Sequence, residues 1–352
     1  MTSARRRLRW ALTGSALGWA LAMVGAAGPV AQTSYAEESR RVHRVFTITS
    51  DEVTESSSLA VSTVHPGLVY TTNDSGDSAT VYVLDATDGS LVGRTSLAGV
   101  DAIDVEAISA GSDGSLVVAD IGDNDRARDS VRIYRLDQPG AGDQTVSVDA
   151  VTLAYPDGPR DAEAVVYDAG PGRVCVVSKE IGAAIYRSPP DVFGRGRAVL
   201  SPVASAPPVA TDATFLPGDR LAVIRTYVGA TIYRYPSWTP VRGFRLPHQE
   251  QGESVAAAPG GHEVWVGGEG VRSTVLAVRL PPIPKSEQPS PTPTPGSDKT
   301  SGPTPGGDKG GLWLRDDNPD QVIGVSEAVW LGAGVGLVVA ILGLVLARRH
   351  RS

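Results

Sequence analysis

Residues 104–124 read DVEAISAGSDGSLVVADIGDN. Two short apolar runs flank a turn rich in Ser, Asp and Gly, the pattern of a tight antiparallel hairpin. The stretch opens with an acid and climbs to an acidic end at Asp120, Asp123 and Asn124. In such a hairpin the entrance of the first strand lies beside the exit of the second. The stretch therefore presents carboxylates twice to the same edge.

Working outward, the same unit recurs five times. TESSSLAVS, DVEAISAGS, DAEAVVYDAG, TDATFLPG and GESVAAAPG each open a repeat. Each is followed by a second strand ending in polar residues, then by a third such as VRIYRLD or TIYRYP. Aligned on their acids, the repeats place Glu55, Glu106, Glu163, Asp212 and Glu253 in register, at intervals of 51, 57, 49 and 41 residues. Repeats of this length with three or four strands are the signature of a β-propeller.

The ends of the array test that reading. Four repeats carry a fourth strand: LVGRTSLAG, AVTLAYP, RAVLSPVA and VRGFRLP. The fifth lacks one, and an orphan strand at residues 41–50, RVHRVFTITS, precedes the first repeat. Paired beside residues 274–280, it closes a ring of five blades and removes an exposed edge. The fold class is all-β, a five-bladed propeller closed by its N-terminal strand.

In a propeller the first strand of each blade is innermost, so the five acids are expected to ring one mouth of the channel. The second-strand exits form a ring outside them: Asn73, Asp74, Asp120, Asp123, Asn124, Lys179, Glu180, Arg225, Tyr227 and Glu269. Two carboxylates ~6 Å apart repel by roughly 2–3 kcal/mol at an effective dielectric near 20. Raised pKa values, pairing with Arg225 and Lys179, or a bound cation would relieve this. An all-oxygen ring suits Ca²⁺, so Glu55, Glu106, Glu163, Asp212 and Glu253 are the expected metal ligands. NDSGDS and DIGDND lack the spacing of an EF-hand loop and read as rim loops.

The flanks point outside the cell. Residues 1–36 combine Arg5, Arg6, Arg7 and Arg9 with an apolar run and small residues at 34 and 36, the pattern of a secretory signal. Residues 37–281 form the propeller. Residues 282–325 are a Pro/Thr/Gly-rich stalk that cannot bury a core. Residues 326–347 contain an uncharged run at 328–347, about the length that spans a bilayer. The tail at 348–352, RRHRS, places the C-terminus in the cytoplasm. The expected location is a single-pass cell membrane protein with its propeller outside.

Seven of the 32 basic residues lie in the two termini, leaving 25 against 39 acids. That excess argues against nucleic acid as a partner. The single cysteine, Cys175, sits in an apolar run and reads as a core residue.

NDSGDS, DVEA with VADIGDN and VRIYRLDQP, DAEA, and QGESVA with VGGEG resemble secreted propellers of actinobacteria described as WD-repeat-like or esterase-like-phytase-like. The resemblance spans nearly the whole ectodomain and implies the fold. A more distant architectural likeness is to five-bladed calcium-activated nucleotidases. It implies an axial Ca²⁺ at the repeat positions of the five acids.

Two functions follow. The first is a cell-surface module binding an extracellular ligand or protein at the acidic mouth. The second is a calcium-dependent hydrolase of phosphoesters or esters, with Glu106 or Glu163 activating water. His248, on the loop entering the mouth near Glu253, is the remaining candidate base. GESVA lacks the final Gly of a nucleophile elbow.

Overall fold

Alternating apolar residues, many of them β-branched, recur in runs of about six bounded by Gly, Asp and Pro. Such runs pleat into half-buried strands. The computed structural model describes residues 42–74 and 79–283, which hold 22 strands. The one helical element among the described residues is a 3-10 turn at Phe193–Arg195.

The strands form five separate sheets, each a blade that meanders outward from its first strand. The innermost strands are Ser56–Val61, Val105–Ala110, Ala162–Asp168, Ala210–Phe215 and Gly252–Ala257. Each packs against the innermost strands of the blades before and after it, and the fifth against the first. The ring is closed, as the repeats require. The hydrophobic core divides accordingly into five clusters, one at each seam between neighbouring blades.

Closure comes from the orphan strand. Val42–Thr47 pairs antiparallel with Thr274–Arg279, from Val42 opposite Val278 to Thr47 opposite Thr274. Phe46 and Ile48 are buried in the seam between the fifth and first blades. Phe46 meets Trp265 edge to face at 6.0 Å. Burying such side chains is worth about 1.5–3 kcal/mol each. Gly89 (φ +77°) lets the first blade lie close, because a Cβ there would stand 2.1 Å from the Thr47 carbonyl oxygen.

Two outer strands depart from the four-strand expectation. Gln144–Val146 adds a fifth strand to the first blade and Arg197–Val199 a fifth to the second, both parallel to their neighbours. RAVLSPVA is therefore not one strand. Its first three residues join the second blade, whereas Ser201–Ser205 forms the fourth strand of the third. A break at Leu200, buried between the two, lets one segment cover two edges.

The expected signal segment, membrane span and tail lie outside the described residues, as do residues 284–325 of the stalk and 75–78 of NDSGDS. Ile283, at the start of the expected stalk, instead packs against the core between the fourth and fifth blades. No helix among the described residues is long and apolar enough to cross a membrane.

Candidate functional site

Every innermost strand begins with the same irregularity. Pairing with the second strand slips by one residue between Ser56 and Ser58, Val105 and Ala107, Ala162 and Ala164, Ala210 and Asp212, and Gly252 and Ser254. A β-bulge at a fixed place re-aims one side chain per blade. The equivalent bulge residues are Ser57, Glu106, Glu163, Thr211 and Glu253.

This register differs from the alignment on acids. Glu106, Glu163 and Glu253 share the bulge position, but Glu55 and Asp212 do not. Glu55 stands two residues before its bulge, where the second and third blades have Asp104 and Asp161. Backbone hydrogen bonds mark the equivalence: Asp74 N–H donates to Glu55 O at 3.0 Å, Gly122 to Asp104 O at 3.2 Å, and Lys179 to Asp161 O at 2.9 Å. Sequence spacing alone cannot place a bulge, because the extra residue is defined only by its pairing partner.

Asp212, one residue past its bulge, is fully buried and saturated. It accepts from Ala213 N–H at 2.8 Å, from Val255 N–H at 2.7 Å and from Ser58 Oγ at 3.1 Å. Burial pushes its carboxyl well above the usual range, against the pull of these donors and of Arg225. Asp212 thus ties the fourth blade to the fifth and the first.

The bulge carboxylates converge at the mouth. All three are raised by burial. Glu106 is raised further by the charge of Glu163. Glu163 forms a short ion pair with Lys179, whose ammonium also lies 5.5 Å from the Tyr227 ring centroid. Burial pulls Lys179 down, but the charges of Glu163 and Glu253 prevail and hold it well above the lysine range. One side of the mouth is therefore neutralised internally.

Several residues of the outer ring are likewise engaged. Asn73 Oδ1 accepts from Thr54 and Glu55 N–H at 3.0 and 3.2 Å. Asp120 pairs with Arg128 at 2.8 Å, and Asp123 accepts from Ala127 and Arg128 N–H at 2.8 and 2.9 Å. Glu180 pairs with Arg160 and Arg126 at 3.0 and 3.2 Å. Arg225 is fully buried and donates to the carbonyls of Ser254 and Gly267, the latter at 2.7 Å. Asn124 and His248 are exposed in loops.

Asp74, Lys179, Tyr227 and Glu269 directly follow their second strands, whereas the second blade has the buried Ile121 at that position. Gly122 comes one residue later, where its N–H donates to Asp104 O at 3.2 Å. Without a side chain there, the space is filled by carboxylates. A Cβ on Gly122 would fall 2.3 Å from Asp104 Oδ2 and 2.6 Å from Glu106 Oε1. Asp74, Asp104 and Glu106 each offer an oxygen within 4.8 Å of the others, and Glu55, Asp74 and Glu269 form a second such group. Burial, then the charge of Asp74 and a hydrogen bond with it, raise the Asp104 carboxyl to about 6. Burial and the charges of Glu253, Asp74 and Glu55 raise Glu269 to about 7.

Asp104 Oδ1 and Glu253 Oε2 are buried with no hydrogen-bond partner. Unsatisfied anionic oxygens beside other carboxylates fit a hard cation. Asp104 and Asp161 were absent from the acid-aligned ring. Their signal was the repeated Asp-x-Glu-Ala of DVEA and DAEA.

The same face carries apolar side chains. Ile103 (65% exposed) precedes the second innermost strand, and Ile181 (74%), Val228 (63%) and Val271 (54%) follow the second strands of the last three blades.

No family model matches the chain, and no curated protein does. Among solved structures, the Dos1 propeller is similar with 14% identity and a TM-score of 0.36, over 61% of this chain and 53% of that one. Hydrazine synthase of Kuenenia stuttgartiensis is similar with 13% identity and a TM-score of 0.37, over 62% and 57%. The chain spans little more than half the length of either.

Proposed function

We propose that the chain is a membrane-anchored, cell-surface propeller that binds an extracellular ligand or protein at the acidic mouth of its channel, with Ca²⁺ in that mouth. The observation that carries the reading is one face combining buried carboxylates with exposed aliphatic residues on four blades, Ile103, Ile181, Val228 and Val271. Four aliphatic side chains exposed beside the buried acids offer a ligand apolar contacts at the edge of a polar centre. The chemistry that complements them is a cationic group with apolar flanks, such as a lysine or arginine among aliphatic residues. The signal-like leader, proline-rich stalk and apolar segment support the surface location, as does the resemblance to secreted actinobacterial propellers.

Peptides of matched aliphatic composition carrying a central Lys, Arg, Gln or Glu, titrated against the purified chain, test the reading. Binding of the Lys and Arg peptides, weakened at least tenfold by Ile181→Asp and Val228→Asp, supports it. Equal binding of the Glu peptide, or indifference to both substitutions, refutes it.

A further inference from the structure

The seam between the first two blades holds a more specific arrangement than the acidic mouth as a whole. Three features coincide there. Asp74, Asp104 and Glu106 bring oxygens within 4.8 Å of one another. Ligands at 2.3–2.6 Å from one calcium ion can be at most about 5 Å apart, so the spacing suits a shared ion. Asp104 is 9% exposed, and its Oδ1 is buried without a partner. Finally, Gly122, whose N–H donates to the Asp104 carbonyl, carries no side chain, and any Cβ there would overlap Asp104 and Glu106.

We infer that Asp74, Asp104 and Glu106 form an off-axis site for one divalent cation of the calcium class, seated over Gly122 between the first and second blades. This rests on the reading of the mouth as a calcium-containing face and replaces the axial five-carboxylate ring. On the axis, Glu163 is engaged by Lys179 and Asp212 by Ser58, Ala213 and Val255. The base beside the seam, Arg128, is committed to Asp120 at 2.8 Å and to the Gly122 carbonyl at 2.7 Å. Nearby backbone is held as well, because Asp104 N–H donates to Asp120 Oδ1 at 3.0 Å. Glu106 Oε2 accepts from Ser57 Oγ at 3.1 Å, and Oε1 is its atom nearest Gly122. The outer group Glu55–Asp74–Glu269 shares Asp74 but adds no buried unpaired oxygen, so the assignment stays with the inner group.

Isothermal calorimetry of the full chain in detergent with CaCl₂ tests the inference, with the calcium-induced rise in melting temperature as second readout. One site is expected, with a dissociation constant on the order of 10⁻⁴–10⁻³ M or tighter, as for extracellular calcium modules. Asp104→Asn, which preserves shape, and Gly122→Ala should each weaken it at least tenfold and remove the thermal shift. Asp149→Asn, on an outer strand and paired with Arg135, should leave both unchanged. Wild-type affinity in Asp104→Asn, loss of binding in Glu163→Gln alone, or no calcium binding at all would overturn the site. Failure of the peptide titration instead falls on the proposed function, so the two failures are distinguishable.

Discussion

Asp212→Asn separates carboxylates that hold the ring together from those left for a ligand. Both oxygens of Asp212 accept backbone N–H groups, from Ala213 at 2.8 Å and Val255 at 2.7 Å. An asparagine of the same shape keeps one acceptor and turns an NH₂ toward the other N–H. A buried donor left unsatisfied costs about 1–3 kcal/mol, and a hydrogen bond to a charged acceptor is worth about 1.5–3 kcal/mol. The expected destabilisation is therefore about 2–4 kcal/mol. For a domain of 150–250 residues each kcal/mol lowers the melting temperature by roughly 2–4 °C. Urea unfolding followed by tryptophan fluorescence should show a lower midpoint with an unchanged slope. Calcium affinity should change by less than about threefold, because the two sites share no partner. Unchanged stability, or a tenfold loss of calcium affinity at unchanged stability, would refute the assignment of Asp212 to the fold.

Lys179→Met strands the buried Glu163 without its counter-ion and should cost about 3 kcal/mol; adding Glu163→Leu should recover much of that in the same urea assay. Asp104 and Glu269 keep their protons to about 6 and about 7, whereas unfolded carboxyls release theirs near 4. Their contribution is present at low pH and lost as pH rises through those values, so in chelator the melting temperature should fall between about pH 4 and pH 7. A rise over that window would contradict the burial of these groups. Cys175 is 1% exposed and its thiol is pushed up to about 12 by burial, so a disulfide reagent at pH 8 should label it only after unfolding. Rapid native labelling would show that the seam between the third and fourth blades is open.

The hairpin of residues 104–124, its five-fold recurrence and the orphan strand at 41–50 were legible because strand periodicity and turn chemistry are local. Even the pairing of that strand with residues 274–280 followed from counting edges. The two parallel fifth strands were not legible, since each joins a blade other than the one whose meander it neighbours in sequence. Alignment on acids likewise misjudged the mouth by two residues at Glu55 and by one at Asp212.

By itself, then, the sequence determined how many blades there are, what closes them, and which face collects the carboxylates. Only the tertiary structure decided what each carboxylate does there. Bulge position depends on the facing strand. The partners of an acid come from other blades: Ser58 reaches Asp212 across 154 residues of chain, and Lys179 neutralises Glu163. The empty position at Gly122 acquires meaning only when Asp104 and Glu106 fill it. Charge is written residue by residue, but whether a charge is satisfied depends on neighbours that only the closed ring supplies.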